Sequence, residues 1–474
     1  MPFQSGCFFH LTPKATGGFV FVKDLLSMAL ARSVDYLDSL DTGEVFPSVE
    51  SINRLAVLDK PLQDRPEDPE KIIDLLDLVG APATVKSAGG RYFGFVTGGC
   101  LPAALAAHWL ASAWDQNAAM NIMSPIACKL EKISINWLID IFGFPPETAG
   151  AFVSGATMAN FTALAAARHA ILKKMNWDVE SQGLFGAPIV KVVVGDEVHV
   201  SVLKALSMLG FGRDRVIRVP TDSQGRMRTD KLPKLSGDTI VCIQAGNVNT
   251  GAFDPAHAIC TAAHHQNAWV HVDGAFGLWA AATPKKSHLT SGIEAADSWA
   301  TDAHKWLNVP YDCGIVFCKN PEHLRAAMST RASYLVGDKK SEPHEYVPEM
   351  SRRARGIEVW AALRSLGRMG LADLIERTCG YAARFAFELK EAGCRILNEV
   401  VLNQVLVKFG DAETTRRIIA QVQNEGSCWC GSTVWHAETA MRISVSSWAT
   451  CDEDVERSIS AILKVKKHGV EDRL

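Results

Sequence analysis

The chain has 474 residues, of which 47% are hydrophobic and 21% charged, and its formal net charge is -3. A single hydrophobic core rarely serves a chain of this length, so we expect two or three domains of ordinary globular composition. The nearly balanced charge provides no electrostatic basis for binding nucleic acid or an anionic membrane.

The sequence contains no signal for membrane insertion, secretion or metal binding. No apolar run approaches the ~20 residues of a membrane span, and the N-terminus lacks the basic and apolar regions of a secretory signal. The 12 cysteines are scattered, apart from Cys428-Trp429-Cys430, which is typical of free thiols in a reducing compartment. The pair His264-His265 lies away from any cysteine cluster. We therefore expect a cytoplasmic protein without a metal site.

The N-terminal region has a helical pattern. Helices are predicted over Lys23–Asp41 and Asp68–Leu78, and Pro- and Asp-rich connections separate them. No strand alternation interrupts this region. We predict a helical N-terminal arm over residues 1–88.

Strand and helix signals alternate from about Gly89 to Gly356. The predicted elements are Phe152–Val153, Thr157–Lys174, Ile189–Val194, Val200–Leu209, Thr239–Gln244, Pro255–His265, strands ending at Asp273 and Asp302, and Gly314–Cys318. Repeated βα units predict a mostly parallel sheet with helices on both faces. Residues 89–356 are therefore assigned to a large α/β domain. Residues 357–474 are assigned to a small α+β domain, with a helix over Gly356–Arg368 and strands near Val405–Phe409 and Met441–Ser446.

Two charged residues follow predicted buried strands, Asp273 in His271–Gly277 and Lys305 in Thr301–Trp306. A lysine that forms a Schiff base and a carboxylate that keeps a pyridine nitrogen protonated are the pair that a pyridoxal phosphate enzyme needs. For either residue alone, a buried ion pair or a solvated strand end is the simpler interpretation. The neighbouring motifs favour the functional interpretation.

Two further segments join a predicted strand to a predicted helix. In Ser154–Asn160, glycine and small residues allow backbone N–H groups to approach an anion, Thr157 offers a hydroxyl, and the helix start favours negative charge. In Asp196–Ser201, the flat ring of His199 can stack on a pyridine and exchange a proton near neutral pH. Taken singly, a capping threonine and a solvated histidine are the ordinary explanations.

In this order, the segments resemble the group II pyridoxal phosphate-dependent amino-acid decarboxylases, which include the aromatic amino-acid, histidine and glutamate decarboxylases. The resemblance extends from about Phe93 to Val455 and rests on Phe93–Phe95, Ser154–Asn160, His199–Ser201, Gly251–Pro255, His271–Gly277, Asp302–Trp306, Ser351–Arg355 and Arg442–Ser446. It implies the aspartate-aminotransferase type of fold (fold type I), with a large α/β domain and a small α+β domain. It also implies pyridoxal 5'-phosphate as the cofactor.

The resemblance implies a catalytic or cofactor-binding role for several residues. Lys305 would be the Schiff-base lysine and Asp273 the partner of the pyridine nitrogen. His199 would stack on one face of the ring, and Ala275 would pack against the other face. The remaining cofactor contacts would come from Ala156 and Thr157 at the phosphate and from His304 beside the cofactor.

Two cofactor positions depart from the family pattern. Asp302 lies where relatives carry a phosphate-binding asparagine, and an aspartate cannot donate to a phosphate unless it is protonated. Asn247 matches a threonine near the ring oxygen and Asp273. An amide can also donate there, so the resemblance still implies a hydrogen bond from Asn247.

The resemblance also implies substrate contacts. Arg442 matches an arginine that binds the substrate carboxylate, and a guanidinium suits this role because it binds a carboxylate through two hydrogen bonds. A surface ion pair on an edge strand is the alternative for Arg442. Phe93 and Asn117 would also contact substrate. The segment Asp115–Asn121 around Asn117 contains small and amide side chains and no aromatic wall, which leaves aromatic and acidic substrates open.

The polar segment Tyr334–Met350 matches a loop that, in the family, covers the neighbouring subunit's site and supplies a proton-donating tyrosine. Tyr346 is the nearest tyrosine, and it lies a few residues late. Relatives without this tyrosine can divert the reaction to oxidative deamination and yield aldehydes. The resemblance thus implies an intertwined homodimer and leaves its proton donor open.

We expect decarboxylation of an aromatic or acidic L-amino acid to its amine and carbon dioxide. The alternatives are an aromatic aldehyde synthase or another carbon–carbon lyase of the same fold. A lyase of the sphingosine-phosphate type is disfavoured, because Trp306 follows Lys305 where those enzymes usually carry tyrosine. A non-catalytic protein on this fold would be expected to have lost Lys305 or Asp273, and both are present.

Overall fold

The structure is a computed structural model that describes residues 17–330 and 341–471. The chain divides into two compact units, Met1–Lys86 and Ser87–Leu474. The division at residues 88 and 356 into an arm, a large domain and a small domain stays a prediction.

The described part of the first unit is helical. It contains α1 (Gly17–Asp38), α2 (Val49–Arg54) and α3 (Pro69–Leu75), a π-helical turn at Leu76–Gly80, and 3-10 turns at Leu55–Leu58 and Ala81–Ala83. Polar caps start two of these helices: the Ser48 hydroxyl accepts from the Ser51 amide, and the Asp68 carboxylate accepts from the Glu70 amide. The predicted helices over Lys23–Asp41 and Asp68–Leu78 correspond to α1 and α3.

The second unit contains two sheets and the remaining helices. The strands are β1 (Ala149–Val153), β2 (Lys191–Gly195), β3 (Ile217–Val219), β4 (Thr239–Gln244), β5 (Trp269–Asp273), β6 (Ser298–Asp302), β7 (Gly314–Cys318), β8 (Arg395–Ile396), β9 (Gln404–Lys408), β10 (Gly431–Trp435) and β11 (Glu438–Ser444). The helices are α4 (Pro102–Trp114), α5 (Pro125–Phe142), α6 (Ala156–Lys174), α7 (Val179–Gln182), α8 (Val200–Met208), α9 (Ala256–His264), α10 (Ala303–Trp306), α11 (Pro321–Met328), α12 (Gly356–Glu391), α13 (Ala412–Glu425) and α14 (Asp452–Glu471). Short 3-10 turns lie at Thr229–Lys231, Gly277–Ala282, Ser287–Thr290, Ile293–Ala295 and Pro343–Tyr346.

The large sheet is mostly parallel, as the sequence predicted. Its seven strands have the order β1-β7-β6-β5-β4-β2-β3, and only β7 runs antiparallel to its neighbours β1 and β6. The central strands β4, β5 and β6 are buried at every position. Because helices cover both faces, successive side chains of one strand enter different cores: Val193 and Val241 pack on one face, and Val194 and Cys242 on the other.

The small sheet has four antiparallel strands in the order β10-β11-β9-β8. Its inner face forms a separate core, in which Val405, Val407 and Ile443 pack with Phe385 from α12 and Ile418 from α13. This α+β arrangement agrees with the fold predicted for the C-terminal part of the chain.

One predicted boundary lies close to the observed one, whereas some edge strands were not predicted. The helix predicted to end at Arg368 is broken at Gly367, whose positive φ of 59° suits glycine, and a second helical stretch of α12 continues to Glu391. The edge strands β3 and β10 were not predicted, because β3 has only three residues and β10 alternates exposed and buried positions without a long apolar run.

A candidate active site at the carboxyl ends of the central strands

The parallel pairing of β5 and β6 brings Asp273 and Lys305 to one edge of the sheet. Asp273 ends β5, and the strands pair in a register that sets Asp273 opposite Ala300. Lys305 follows the end of β6 and lies in the short helix α10. Ligands bind at this edge in open α/β sheets, because loops and helix starts converge beyond the strand ends.

The Lys305 amine is held by a carboxylate. Its Nζ lies 2.9 Å from Oδ2 of Asp302. Burial alone would lower the pKa of Lys305, but the adjacent Asp302 carboxylate and the nearby Asp273 outweigh it, so the pKa is raised. The backbone of Lys305 is packed against Gly98, where an added Cβ would lie only 1.9 Å from the Lys305 carbonyl oxygen. The amine is therefore protonated and fixed in direction in this state.

Asp302 also occupies the start of helix α6. Its Oδ1 accepts a hydrogen bond of 2.6 Å from the Ala156 amide, the first N–H of that helix, and lies 3.6 Å from Nε2 of His304. The partly exposed Thr157 follows in the same turn. A negative group at this point is favoured by the unpaired N–H groups of the helix start. The Asp302 carboxylate thus accepts from the Ala156 amide that was predicted to hold a phosphate.

The Asp273 carboxylate is buried and fixed by neutral donors. Its Oδ1 accepts from the Ala275 amide at 3.3 Å, and its Oδ2 lies 3.2 Å from Nδ2 of Asn160 and 3.5 Å from the Ser201 hydroxyl. Ala275 is partly exposed beside it. Asn160 and Ser201 were not predicted as site residues, although both belong to the two strand-to-helix segments that the sequence singled out.

His199 is joined to Asp273 through one hydroxyl. Its Nδ1 lies 2.7 Å from the Ser201 Oγ and accepts from the Ser201 amide at 3.3 Å. Because a backbone N–H points at Nδ1, the hydrogen of the neutral ring is assigned to Nε2. Burial lowers the pKa of His199, the Asp273 carboxylate partly offsets this, and the charges of Lys305 and Arg442 lower it further. His199 is therefore neutral at neutral pH.

His304 contacts the ring of Tyr311, a residue that was not predicted from the sequence. The two ring centroids are 4.5 Å apart, and Tyr311 is 59% exposed. Nδ1 of His304 accepts from the Cys313 amide at 3.1 Å. Burial lowers the pKa of His304, and the Asp302 carboxylate offsets only part of the effect. The position of Tyr311 in the loop directly after α10, the helix that contains Lys305, could have indicated that it lies at the site.

Arg442 lies on β11 between the fully buried side chains of Met441 and Ile443. In the described part of the chain, its hydrogen bond is a long one, 3.4 Å from Nη1 to the Val248 carbonyl oxygen. Within residues 17–330 and 341–471, no acidic side chain forms an ion pair with it. Burial lowers its pKa, and its charge also acts on His199. The surface ion pair that the sequence left open is not formed here.

The structure places Phe93 away from the open side of the site. Its ring has no exposed surface and packs edge-on against Phe385 in the small-sheet core, with centroids 5.1 Å apart. The exposed ring of this segment is Phe95, which is 64% exposed and stacks on Trp429 at 5.6 Å. A substrate contact of Phe93 stays a prediction, and the structure buries this ring and exposes that of Phe95, because the backbone decides which of the two turns inward.

Two side-chain amides that were predicted to contact ligands accept backbone hydrogen bonds. The Asn117 side-chain oxygen accepts from the Ala119 and Arg352 amides, at 3.1 and 3.2 Å. The buried Asn247 oxygen accepts from the Asn249 and Thr250 amides, at 2.9 and 3.2 Å. Asn247 therefore closes a local turn, as short amide side chains commonly do, whereas Asn117 joins its own turn to the distant Arg352. The hydrogen bond from Asn247 toward the ring oxygen and Asp273 stays a prediction.

Tyr346 is packed into the same unit. It lies in the 3-10 turn Pro343–Tyr346 and packs partly buried against the core that contains Ala151 and Val316. The expectations for residues 334–340 of the loop, including Tyr334, fall outside the described residues. The described part of the segment therefore provides no free tyrosine at the predicted position.

The side chains at this edge fit pyridoxal phosphate. Lys305 offers an amine, Asp273 a fixed carboxylate, His199 a flat neutral ring, and the start of α6 already takes an anionic oxygen. A Cβ built on Gly155 would find its nearest atoms 3.4 and 3.6 Å away, in His304 and Asp302. The start of α6 is therefore bordered by these two side chains and not filled by a third. Among the described residues, no group of three or more metal-ligating side chains could hold a metal ion.

The fold and the site together define a pyridoxal phosphate-dependent lyase of fold type I. Residues 52–409 match the family model described as the pyridoxal-dependent decarboxylase conserved domain. The chain belongs to the pyridoxal-dependent decarboxylase family. The resemblance found in the sequence is thus confirmed, and with it the pyridoxal phosphate cofactor and the carboxy-lyase class of enzyme.

Relatives with different substrates resemble the chain to a similar degree. The aromatic-L-amino-acid decarboxylase of Bacillus atrophaeus is 26% identical over 94% of this chain and 95% of its own. The acidic amino acid decarboxylase GADL1 of Homo sapiens is 28% identical over 82% of this chain and 76% of its own. The crystal structure of Oryza sativa TDC with PLP and tryptamine has a TM-score of 0.89 and 22% identity, and covers 96% of this chain and 99% of that one. This last likeness shows the fold alone.

Proposed function

We propose that this decarboxylase removes the carboxylate of an aromatic L-amino acid. The observation that carries the proposal is the pairing of β5 with β6, which sets the Asp273 carboxylate and the Lys305 amine at one sheet edge. Family membership supplies the reaction class, and the side chains around this edge supply the roles.

Pyridoxal phosphate, when bound, supplies an electron sink for the bond that breaks as carbon dioxide leaves. Lys305 would hold the cofactor covalently through Nζ and release it to the substrate amine. Asp273 would hold a proton at the ring nitrogen. His199 would cover one face of the ring, and the small side chain of Ala275 would leave room at the other. Ala156 and Thr157 would bind the phosphate at the start of α6, which requires Asp302 to give up the Ala156 amide.

An arginine and an aromatic ring support the substrate assignment. Arg442 has no acidic partner among the described residues, so it is available to a substrate carboxylate. The exposed Phe95 ring lies on Trp429, which stacks on Tyr92 at 5.1 Å. Phe95 is three residues from Gly98, which touches the Lys305 backbone. A flat apolar surface in the segment that contacts the Lys305 backbone favours an aromatic side chain over an acidic one.

An aldehyde synthase remains the second candidate. The observation that favours it is the packing of Tyr346 into its own unit, which leaves the expected loop proton donor unassigned.

The decarboxylase has a different candidate proton donor. The exposed Tyr311 lies against His304, and its hydroxyl is chemically suited to donate a proton to the substrate carbon.

One assay separates these candidates. The purified chain is loaded with pyridoxal phosphate and offered aromatic, acidic and diamino L-amino acids, and carbon dioxide, amine, aldehyde and hydrogen peroxide are measured together. Amine equal to carbon dioxide supports the decarboxylase, whereas aldehyde with peroxide supports the synthase. Turnover confined to acidic substrates would overturn the aromatic assignment.

A homodimer is part of the proposal. Helix α1 exposes Val22, Leu26, Leu30 and Val34, spaced four residues apart on one face, and α4 separately exposes Trp109, Leu110 and Trp114. Apolar patches of this kind mark interaction surfaces. Mixing a Lys305→Ala variant with a variant that lacks residues 334–340 should restore activity in hybrid dimers if the loop serves the neighbouring site. Hybrids that form and stay inactive would show that each subunit closes its own site.

A cytoplasmic location is also proposed. The cysteines of the described residues are all free, most of them buried, as expected for a reducing compartment. No helix in the described ranges is long and apolar enough to cross a membrane. Fractionation of cells with an antibody to the native chain would test this location.

A further inference from the structure

A row of buried polar side chains lies behind Asp273. Trp269, His271 and Asp273 alternate along β5 and therefore point to the same face of the sheet. His271, Ser298 of β6 and Asn160 of α6 have no exposed surface. Polar groups this deep in a core must find partners, because each unpaired one is costly.

The hydrogen bonds of this row run in one direction. The Trp269 indole can only donate, and it donates to the Ser298 hydroxyl oxygen at 3.0 Å. The hydroxyl hydrogen of Ser298 is then free to donate to Nδ1 of His271, 2.9 Å away. A neutral His271 carries its hydrogen on Nε2, which lies 2.8 Å from Oδ1 of Asn160.

The last step reaches the carboxylate. With its oxygen facing His271, Asn160 directs Nδ2 at Oδ2 of Asp273, at 3.2 Å, and at the Ser201 hydroxyl, at 3.3 Å. The opposite amide orientation would set the Asn160 oxygen against the Asp273 carboxylate and the NH2 group against the Nε2 hydrogen of His271, so neither contact would be a hydrogen bond. Burial lowers the pKa of His271 to about 3, so the ring stays neutral and has one hydrogen to give.

We propose that Asn160 and His271 are positioning residues that fix the direction of the Asp273 carboxylate toward the cofactor ring nitrogen. The inference rests on the proposed function, in which Asp273 pairs with that nitrogen. The same Asn160 amide holds Ser201, which lies between Asp273 and His199, so one side chain orients both of the groups proposed to contact the ring.

The pairing with the ring nitrogen can be measured without turnover. The full-length apo-protein is titrated with pyridoxal phosphate and with its 1-deaza analogue, in which carbon replaces the ring nitrogen, and the ratio of the two dissociation constants is the readout. In the parent this ratio should favour pyridoxal phosphate. His271→Phe should reduce the preference about tenfold, as expected when a hydrogen-bonded charged pair loses its alignment.

Further variants separate alignment from general damage. His271→Gln keeps an amide donor facing Asn160 and should retain more of the preference than His271→Phe. Ser298→Ala, a smaller change, should reduce it in the same sense because Nδ1 of His271 loses its donor. The matched control is Ser134→Ala, which alters a fully buried serine whose hydroxyl has no hydrogen-bond partner in the described structure. It should leave the ratio unchanged.

The outcomes distinguish the positioning role of Asn160 and His271 from the proposed pairing of Asp273 with the ring nitrogen. A parent that binds both cofactors equally would show that Asp273 does not pair with the ring nitrogen, and the proposed role of Asp273 would fail. A parent that prefers pyridoxal phosphate, with His271→Phe and Ser298→Ala preferring it equally, would overturn the positioning role alone. Equal weakening of both cofactors in these variants would also overturn it, because that result indicates general loss of structure.

Discussion

The charged side chains at the edge of the large sheet have polar partners, whereas Arg442 on the small sheet has almost none among the described residues. Around Lys305, each charged group has a partner: the amine contacts Asp302, Asp302 contacts the Ala156 amide, and Asp273 is surrounded by Asn160, Ser201 and Ala275. Arg442 has no acidic partner in the described chain and makes only a long contact with a carbonyl. This difference agrees with the proposal that the first region holds the cofactor and that Arg442 binds the substrate carboxylate.

The strands that carry these side chains also differ in how deeply they are buried. Asp273 and Asp302 end strands that are buried at every position, with helices on both faces. Arg442 lies on a four-stranded sheet, opposite Gly431, which has no side chain to cover it. A carboxylate in a packed core cannot relocate, whereas a guanidinium at a partly open strand can follow its ligand. We therefore expect substitutions in the first region to change cofactor chemistry and those in the second to change substrate affinity.

The largest effect is expected for Lys305→Ala. Without the amine, covalent attachment is lost and activity should fall roughly a thousandfold or more. Borohydride reduction of the parent followed by peptide mass spectrometry should find the pyridoxyl group on Lys305. A label on Lys204 instead would contradict the assignment, and Lys204→Ala serves as the matched control.

The next effect is expected for Asp273→Asn. The amide keeps the size of the side chain but removes its charge, so cofactor should still bind while kcat falls on the order of 10² to 10³. Absorbance of the bound cofactor measures occupancy, and steady-state kinetics measure kcat. Near-normal turnover in a fully loaded Asp273→Asn variant would rule out the electron-sink role.

A smaller effect, of a different kind, is expected for Arg442. Arg442→Lys keeps the charge but loses the two-pronged hydrogen bond, so it should raise KM about tenfold and change kcat less. Arg442→Met should raise KM further. If both variants keep the parental KM, the substrate carboxylate is bound elsewhere and the contrast between the two regions is lost.

The last expected effect concerns the stability of the fold against pH. The pKa of His271 is lowered to about 3 in the folded chain by burial, from an ordinary value of 6.5. The unfolded chain therefore binds this proton more readily, and the free energy of unfolding should fall as the pH drops from ~6.5 toward the folded pKa of about 3.

Urea unfolding of the parent and of His271→Phe at pH 7, 6 and 5 tests this contribution. The variant should show the shallower fall toward acid, and the exposed His288→Gln should behave as the parent. Equal slopes in the parent and His271→Phe would show that His271 is protonated without unfolding.

Several parts of the fold and the site could be predicted because they depend on local patterns. Apolar runs that end in Asp273 and before Lys305 predict buried parallel strands, and strand ends of one sheet must meet at one edge. Thr157 and His199 follow strands directly, so their place at that edge needs only chain connectivity. By contrast, β3 and β10 are edge strands without a strong apolar pattern, and the length of α12 depends on packing beyond Gly367.

The sequence by itself determined the order of βα units, the lysine and carboxylate at the strand ends, and the family, because these depend on residue identity and spacing. Tertiary structure alone decided which side chains contact one another: Phe95 and not Phe93 faces outward, Asn117 accepts from Arg352, and Tyr311 lies against His304. It also decided that Asn160 contacts Asp273 and that His271 contacts Asn160. The physical reason is that hydrogen-bond partners and burial depend on distances between strands and helices far apart in the chain, which no local pattern specifies.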